Sequence, residues 1–497
     1  MTRRAQGILV ALAVVTAVAL TAGGAALAGS GAHYKVIKGG AGANKLVGTN
    51  GPDKIAGHGG ADTIRGRGGR DVLEGGRGGD SIGGGKGFDR IVGGPGGDTI
   101  DARDGRPDTI DCGDGNDFAK VDRDEDGVFD CETVRGPKGP KVAQAAARVP
   151  RVRHVFIVVL ENENASSTFG PHTEAPYLAK TLKRKGAFVP NYYGIAHNSE
   201  PNYIAMISGQ SPNIQSQADC PLFNDVTPGT PMSDGQAFGT GCVYPPGVHT
   251  IANQLGQSGY SWKGYMEDMN ANAPKGGQSP CRHPDIGERD PWQHATPTDE
   301  YATRHNPFVY FHSIIDRRIC RNNVVDYTHL KHDLRNRRTA PDYSLIVPGL
   351  CHDGHDAPCA NGAPGGLVSA NRWLRREMPA LLHSSAFQHR GLLIVTFDEA
   401  EATGSDADST ACCNEKPGPS IVPPDTPGGL HPGPGGGRIG AVMVSPCIKP
   451  GTVTHERYNH YSLLRSMEAN FRLPYLGYAG QAGLRPFGND IFTRPGC

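Results

Sequence analysis

HVFIVVLEN, at residues 154–162, is a nearly continuous apolar run that ends in Glu161 and Asn162. GLLIVTFDE, at residues 391–399, repeats the pattern with two carboxylates at its end. Short apolar runs of this kind are typical of strands that are buried on both faces of a parallel sheet. Because ligands bind beyond the carboxyl ends of such strands, the two runs predict a site at one edge of an α/β sheet.

Further strands and helices are predicted around these two runs. The predicted strands are DYSLIVPGL at Asp342–Leu350 and IGAVMVSP at Ile439–Pro446. The predicted helices are Ala175–Lys185, Ile251–Ser258, Leu367–Ser384 and Tyr461–Phe471. This alternation predicts an α/β domain over residues 151–497, with a mostly parallel sheet and helices on both faces.

Ser199 lies in HNSEPNY, with Pro201 and Asn202 following and the apolar stretch IAMISG after them. Such a sequence predicts the start of a helix with a hydroxyl at its N-terminus. Ser199 could be only a helix cap, since serine often serves that purpose. Together with the acids at the strand ends, however, it indicates a metal-assisted site.

The N-terminus carries a targeting signal. Two arginines precede an apolar run from Gly7 to Leu20, and ALA at residues 26–28 is a small-residue cleavage site. This pattern predicts a secretory signal peptide over residues 1–28, whereas a membrane helix is disfavoured by the glycines at 23 and 24. No other stretch is apolar enough to span a bilayer, so a secreted protein without a transmembrane anchor is expected.

All 12 cysteines follow the predicted signal peptide, as expected for disulfides in an oxidising compartment. The local candidates for pairing are Cys112 with Cys131 and Cys351 with Cys359. The adjacent Cys412 and Cys413 could instead bind metal, but no CxxC partner lies near them.

Residues 39–101 repeat every nine residues. Glycine recurs at the first and fourth places, an acid or amide at the sixth, and Leu or Ile at the eighth. Units such as GGRGGDSIG resemble the RTX calcium-binding nonapeptide repeats, which form parallel β-rolls. The expected calcium ligands are Asn44, Asp53, Asp62, Asp71, Asp80, Asp89 and Asp98. A Gly-rich disordered linker is the alternative, but it would not require this register.

The repeat slips by one residue after Asp101, where the roll is expected to fray, and the roll is assigned to residues 39–120. VDRDEDGVFDCE follows, with Asp122, Asp124 and Asp126 spaced like the start of an EF-hand loop. Its acid at Glu132 comes one place early, so residues 121–135 are predicted to be an acidic, disulfide-linked cap. Residues 136–150 have the composition of a linker.

Seven segments after residue 151 resemble successive motifs of the phosphoesterase family. They are ENENASSTFG, YYGIAHNSEPNYIAMISG, WKGYMEDM, RHNPFVYF, IVPGLCHDGHD, VTFDEAE and HERYNHYSLLRSMEANFRLP. This family contains secreted acid phosphatases and phospholipases C. The resemblance implies an alkaline-phosphatase-like fold for residues 151–497.

The resemblance also implies roles for individual residues. Ser199 matches the covalent nucleophile, and Asn202 matches a donor to a phosphoryl oxygen. The implied metal ligands are Glu161, Asn162, Ser199, Asp398 and Glu399. His355 or His305 would protonate the leaving alcohol. His197, Asp353 and His460 fall in motifs that line the same site. His455 is an alternative to His460, and Asp353 could instead orient a histidine.

These ligand types suit a divalent cation, which would neutralise the phosphate and activate the serine. The ligands allow calcium, manganese, zinc or iron, so the identity of the metal stays open. Equal numbers of basic and acidic residues, 50 of each, argue against a nucleic-acid partner. The expected partner is a phosphate ester, with attachment to a surface or matrix through the roll as a further expectation.

The sequence therefore predicts a secreted, metal-dependent phosphoesterase that acts on phosphate monoesters through a phosphoserine, as acid phosphatases do. The short segment after Phe471, with no lipid-facing domain, favours monoesters. A phospholipase C is the first alternative. The second is a calcium-dependent adhesion or matrix protein whose second domain is not catalytic.

Overall fold

A computed structural model describes residues 34–494, except 88, 107, 114, 123–126, 130, 132, 137–151, 272, 274–278, 404–406 and 421–434. The predicted signal peptide lies outside the described residues, as does most of the predicted linker. The same holds for Asp124, Asp126 and Glu132 of the EF-hand-like segment.

The nonapeptide repeats form a roll of short parallel strands. These strands are β1 Lys35–Lys38, β2 Lys45–Val47, β3 Asp53–Gly59, β4 Thr63–Gly68, β5 Val72–Arg77, β6 Ser81–Lys86, β7 Arg90–Val92, β8 Thr99–Asp101, β9 Thr109–Asp111, β10 Phe118–Lys120, β11 Gly127–Phe129 and β12 Thr133–Arg135. Odd-numbered strands form one sheet and even-numbered strands the other. Each pair of repeats therefore completes one coil of the roll.

The eighth residue of each repeat fills the space between the two sheets. Ile55, Ile64, Leu73 and Ile82 are at most 2% exposed and belong to one apolar cluster. The extra residue after Asp101 does not interrupt the sheets, because β7 pairs with β9 and β8 with β10 in regular register. The roll therefore does not fray at this point. The segment predicted as a cap supplies the last strand of each sheet.

The rest of the chain is built around one sheet of eight strands with shorter pairs beside it. Its strands are β13 His154–Leu160, β14 Ala187–Val189, β15 Tyr192–Tyr193, β16 Leu222–Phe223, β17 Thr227–Pro231, β18 Ala237–Thr240, β19 Trp262–Met266, β20 Glu288–Arg289, β21 Val324–Asp326, β22 Tyr343–Val347, β23 Gly391–Phe397, β24 Ala441–Val444, β25 Thr452–Val453 and β26 Tyr458–Asn459. The eight-stranded sheet has the order β21-β19-β22-β13-β23-β24-β14-β25.

The first five strands of this order run parallel, and β24 runs antiparallel to β23. Every residue of β13 and β23 is buried, as their apolar sequences predict. The expected α/β fold with a mostly parallel sheet is confirmed. The predicted strands at 342–350 and 439–446 correspond to β22 and β24.

Helices connect these strands. They are α1 Ala165–Phe169, α2 Lys183–Lys185, α3 Ser199–Ser208, α4 Ile251–Gln257, α5 His312–Ile315, α6 Arg318–Asn323, α7 Thr328–Asp333, α8 Gly366–His383, α9 Ser385–Gln388 and α10 His460–Phe471. A π-helical segment, Tyr177–Leu182, precedes α2, and 3₁₀ turns occur at Ser216–Ala218, Thr303–His305, Pro307–Tyr310 and Gly477–Gly480. The four predicted helices are present, the first of them as the π-helical segment continued by α2.

Disulfides join several of these segments. The predicted pairs Cys112–Cys131 and Cys351–Cys359 are both formed. Among the described residues, the other pairs are Cys220–Cys242, Cys281–Cys320 and Cys412–Cys413. The last pair uses the sulfurs that the sequence left open as metal ligands. No helix in the described part of the chain is both long and apolar enough to cross a membrane.

Candidate active site

The site lies where β13, β22 and β23 end. β13 and β23 are adjacent, with Leu160 opposite Phe397, so the residues that follow them emerge side by side. The N–H of Glu161 donates to the carbonyl of Asp353 over 2.9 Å, which attaches the loop after β22 to the end of β13. Three segments distant in sequence are thereby placed at one edge of the sheet.

Ser199 is the first residue of α3, as predicted. The preceding Asn198 has a φ of 74°, which turns the chain sharply into the helix. The Ser199 hydroxyl donates to Oε2 of Glu161 over 2.7 Å. Oε1 of Glu161 accepts from the hydroxyl of Tyr203 over 2.6 Å. Both oxygens of this buried carboxylate are therefore held by residues of α3.

His305 and Asp353 complete a compact group with Glu161. Nε2 of His305 lies 3.4 Å from Oε2 of Glu161, and Nδ1 lies 3.3 Å from Oδ2 of Asp353. One ligand atom from each of the three residues lies within 4.8 Å of the others, and all three residues are buried. His305 also stacks on the ring of Tyr203. The geometry favours His305 as a metal ligand, whereas the sequence suggested a proton donor.

Asp398 and Asn162 lie on the neighbouring strand ends. Oδ1 of Asp398 accepts from the backbone N–H of Asn162 over 3.2 Å and from that of Glu399 over 2.6 Å. Oδ2 of Asp398 and Oδ1 of Asn162 are buried and have no hydrogen-bond partner among the described residues. The same is true of Oδ2 of Asp353. Such unsatisfied oxygens in one buried site fit a hard divalent cation, so the residues suit the metal that the family resemblance implies.

Without a cation, burial destabilises the charged forms of these acids. Desolvation raises the pKa of Glu161 well above its ordinary value, and the charges of Asp398 and Asp353 raise it further. Desolvation also raises the pKa of Asp353 well above the usual range, and that of Asp398 to about 6. Burial lowers the pKa of His305 well below its ordinary value, with Arg304 contributing. This electrostatic pattern is expected of a ligand set.

Two residues predicted to line the site, His197 and His460, contact the predicted ligands Glu399 and Asp398. Nδ1 of His197 lies 2.6 Å from Oε2 of Glu399, and its Nε2 lies 2.9 Å from the Ser409 hydroxyl. Nε2 of His460 lies 2.5 Å from the backbone carbonyl of Asp398. His460 is buried, and desolvation lowers its pKa to about 4. Because Oε2 of Glu399 contacts His197, the role of Glu399 as a metal ligand stays a prediction.

The alternative residue His455 is exposed and does not contribute its ring to the site. Its backbone carbonyl accepts from the side chain of Asn191.

Asn202 differs from the sequence prediction. Its Oδ1 accepts from the N–H groups of Ile195 and Ala196, and its Nδ2 donates to the carbonyls of Ala196 and Asn198. All four hydrogen-bonding positions of the amide are therefore used by the loop before α3. Asn202 positions that loop and has no free N–H for a phosphoryl oxygen.

A group missed by the sequence analysis lies beside Ser199. Oδ1 of Asp219 accepts from the N–H of Glu200 over 2.9 Å, at the start of α3. Nε of Arg304 lies 3.8 Å from Oδ2 of Asp219, and Nη2 lies 3.1 Å from Nε2 of His355. Nδ1 of His355 lies 2.8 Å from Oδ1 of Asp356. His355 is only partly buried, unlike His305. Asp219, Arg304 and His355 therefore form a chain of contacts that runs from the start of α3, beside Ser199, toward solvent.

The predicted calcium ligands of the roll also form a regular ladder. Oδ1 of Asp71 accepts from the N–H of Asp53, and Oδ1 of Asp80 accepts from that of Asp62. The buried carboxylates with an unpartnered oxygen among the described residues include Asp53, Asp62, Asp71, Asp80, Asp89 and Asp98. Asn44 lies at the open end, where its Oδ1 accepts from Gly40.

Glycine leaves room beside these oxygens. A Cβ at Gly66 would lie 2.3 Å from the carbonyl of Gly84 and 2.4 Å from Oδ2 of Asp71. Carbonyl and carboxylate oxygens so arranged fit calcium.

Sequence comparison assigns the chain to known families. The pattern of the Phosphoesterase family matches residues 172–474, so the chain belongs to that family. The pattern of the RTX calcium-binding nonapeptide repeat matches residues 38–73, 74–107 and 83–119. The family resemblance noted in the sequence is thereby confirmed for both parts.

Several relatives are about 25% identical to the chain over the aligned residues. A probable acid phosphatase of Kluyveromyces lactis is 25% identical over 325 residues, or 65% of this chain and 59% of that protein. A phosphate-repressible acid phosphatase of Penicillium chrysogenum is 25% identical, covering 60% of this chain and 54% of that protein. The chain thus spans little more than half the length of these fungal relatives. A phosphatidylinositol-3-phosphatase of Mycobacterium tuberculosis is 24% identical, covering 69% and 85% respectively.

The solved structures that resemble the chain are more distant in sequence. A protein of the alkaline phosphatase superfamily from Vibrio parahaemolyticus has a TM-score of 0.39 and 13% identity, covering 70% of this chain and 73% of that one. A variant of the alkaline phosphatase PafA has a TM-score of 0.35 and 8% identity, covering 69% and 99%.

Proposed function

We propose that this chain is a secreted, metal-dependent phosphoesterase that hydrolyses phosphate monoesters through a phosphoserine. The observation that carries this proposal is the 2.7 Å hydrogen bond from the Ser199 hydroxyl to Glu161, inside a buried cluster of acids. A scaffold without catalysis would gain nothing from burying a hydroxyl among unsatisfied carboxylates. Membership of the Phosphoesterase family further disfavours the adhesion-protein alternative.

Ser199 would attack the phosphorus with its Oγ, and the bond from phosphorus to the leaving oxygen would break. Glu161 is placed to accept the serine proton, because its Oε2 already accepts that hydrogen bond. Glu161, Asn162, Asp353, Asp398 and His305 would hold the divalent cation. When bound, this cation would supply charge neutralisation for the phosphate and for the serine alkoxide. Water would then hydrolyse the phosphoserine and restore the Ser199 hydroxyl.

His355 is the better candidate for protonating the leaving alcohol. Its ring is more accessible than that of His305, and Nδ1 contacts Asp356. Nε2 accepts from Nη2 of Arg304, so it would take up a proton and exchange this hydrogen bond for one to the leaving oxygen. The buried guanidinium of Arg304 would also favour a phosphate group with two negative charges over a diester with one. This charge argument and the naming of several relatives as acid phosphatases support a monoester substrate.

The test compares two chromogenic substrates, p-nitrophenyl phosphate and p-nitrophenylphosphorylcholine. We expect the wild type to cleave the monoester preferentially and Ser199→Ala to lose activity by roughly 10³-fold or more. Ser208→Ala is a matched control, since this buried serine ends the same helix, donates to the carbonyl of Ile204 and accepts from the N–H of Gln210. Cleavage of the choline ester alone would favour a phospholipase C. Retained activity in Ser199→Ala would contradict the proposed nucleophile.

Metal dependence is tested in a second experiment, which must distinguish the catalytic cation from calcium bound by the roll. The protein is stripped with EDTA and then supplied with calcium alone, or with calcium plus manganese, zinc or iron. Recovery of circular dichroism with calcium reports on the roll, and recovery of hydrolysis reports on the catalytic cation. Full activity in the stripped protein would contradict metal dependence.

Secretion is supported by the disulfides of the described residues and by the signal-peptide pattern. Attachment to a surface or matrix is the proposed role of the roll. Secretion is tested by expressing the full chain with and without residues 1–28 and locating the protein inside or outside the cells. Retention of the full chain in the cytoplasm would contradict secretion.

A further inference from the structure

The roll separates its charges between interior and surface. Residues 34–136 contain 15 basic and 19 acidic side chains. Eight of the acids are buried in the aspartate ladder, whereas none of the described basic side chains is buried. With its interior acids bound to calcium, the roll therefore presents a positive exterior.

Four of these basic side chains line a shallow groove on the sheet of even-numbered strands. This basic groove has a volume of about 480 Å³ and is lined chiefly by Thr63, Arg65, Arg67, Ser81, Arg103 and Lys120. Arg65 and Arg67 are exposed and form no ion pair with any described residue. Asp101 is the acid in the groove, and it is paired with Arg103 over 2.6 Å and with Lys120 over 3.9 Å. An excess of unpaired positive charge remains.

The charges are spread along the roll. Arg65 lies on β4 and Lys120 on β10, which are three strand positions apart in this sheet. At a spacing of about 4.8 Å between strands, the groove extends over roughly 14 Å. A single small anion would contact only part of it. A ligand that fits must carry several negative charges along its length.

The floor of the groove favours a sugar chain. Thr63, Ser81 and Thr99 lie in one register across adjacent strands and offer a row of hydroxyls. Gly83 and Gly85 leave the middle of the groove without side chains. The described lining residues include no aromatic ring for base stacking, and the isoleucines of the groove point into the core. The nearest ring is that of Phe118, which follows Thr99 in the row and already lies against Lys120 and Arg135. These features suit hydroxyl-rich, negatively charged rings more than nucleic acid or membrane.

We propose that the basic groove binds an acidic polysaccharide. The groove thereby gives a chemical identity to the proposed surface attachment of the roll, independently of the catalytic reaction. The polymer would lie along the roll, with its anionic groups beside Arg65 and Arg67 and its hydroxyls on the Thr63, Ser81 and Thr99 row.

The test measures binding of the full chain, with calcium present, to dextran sulfate and to uncharged dextran. The test variant combines Arg65→Gln with Arg67→Gly, because the adjoining strand has Gly85 at the register of Arg67. The control combines Arg77→Gln with Arg90→Gln, two exposed arginines that belong to the other sheet. Circular dichroism with calcium and hydrolysis of p-nitrophenyl phosphate are measured on the same samples. These measurements distinguish loss of the fold or of catalysis from loss of polymer binding by the groove.

We expect the wild type to bind dextran sulfate and not dextran. The test variant should bind at least about tenfold more weakly, and the slope of log affinity against log salt should fall by roughly 1.5, close to the value for two lost ionic contacts. The control should change less than about twofold, within the ordinary effect of a surface substitution. If the double variant misfolds, Arg65→Gln alone should give about half the change in slope.

Three results would overturn the proposal. They are absence of binding to dextran sulfate, equal weakening in the test and control variants, and tighter binding to single-stranded DNA or to phosphatidylglycerol vesicles.

Discussion

The hydroxyl of Tyr203 lies 2.6 Å from Oε1 of Glu161, one helical turn after Ser199, which holds the other oxygen of the same carboxylate. Removing this hydroxyl in Tyr203→Phe should leave Glu161 free to rotate. A hydrogen bond to a charged group contributes about 1.5–3 kcal/mol, so kcat should fall by about 10- to 100-fold. Steady-state hydrolysis of p-nitrophenyl phosphate measures this loss.

Tyr458→Phe is the control for that experiment. Its hydroxyl donates to Asp490 over 2.9 Å, and its substitution should lower the melting temperature without changing kcat. An unchanged kcat in Tyr203→Phe would show that Ser199 alone keeps Glu161 in place.

His197→Ala should weaken the catalytic metal site, because His197 fixes Glu399 beside Asp398. Loss of a residue that orients ligands typically lowers metal affinity by about 10- to 100-fold. Calorimetric titration of the stripped protein with manganese or zinc measures the affinity directly. His154→Ala is a fitting control, since that buried histidine contacts Pro341 at the opposite end of β13. Equal metal affinity in His197→Ala and wild type would remove His197 from the metal site.

Gly66→Ala should impair calcium binding by the roll and spare catalysis. The added methyl would lie 2.3 Å from the carbonyl of Gly84 and 2.4 Å from Oδ2 of Asp71. Strain of about 1.4 kcal/mol in the bound state corresponds to about tenfold weaker binding. Gly42→Ala is the matched change at the fourth place of the repeat, where glycine also recurs, and its methyl would meet nothing within 4 Å. Calcium titrations followed by circular dichroism should separate the two variants, and identical midpoints would contradict the assigned site.

Acid should compete with calcium in the roll. Burial raises the pKa values of Asp71, Asp89 and Asp98 from 3.8 to about 6 in the calcium-free roll. The unfolded chain loses these protons near 3.8 and the folded roll near 6, so the calcium-free roll becomes less stable as the pH rises between these values. Calcium replaces the protons above this range. Titrations at pH 5 and pH 7.5 should therefore give weaker calcium binding at pH 5, and equal midpoints would contradict the argument.

Much of this arrangement follows from local patterns in the sequence. The apolar runs before Glu161 and Asp398 require buried parallel strands, so the acids after them had to emerge at one edge of the sheet. The nine-residue register of Gly, Asp and Ile likewise predicts the roll. Ser199 at the start of α3 follows from local helix signals. Tyr203 was within reach of the same reasoning, because residues four apart share a helix face.

The remaining parts of the site depend on contacts between distant loops. Asp219 reaches the start of α3 from the segment after Ser216–Ala218, and no periodic pattern marks that approach. Asn202 faces backward into its own loop because that loop has four backbone groups to satisfy. The same sequence is compatible with an Asn202 amide that binds a phosphoryl oxygen and with one that bonds to its own loop. His305 could be assigned as ligand or proton donor only after its distances to Glu161 and Asp353 were known.

The alternation of strands between two sheets limits how the roll can change in length. A duplication of two repeats adds one strand to each sheet and continues both the aspartate ladder and the basic groove. A duplication of a single repeat would move every later strand to the opposite sheet, so Arg65 and Lys120 would end on different sides of the molecule. Inheritance of the groove therefore favours gains and losses in steps of 18 residues, the separation of successive ladder partners such as Asp62 and Asp80.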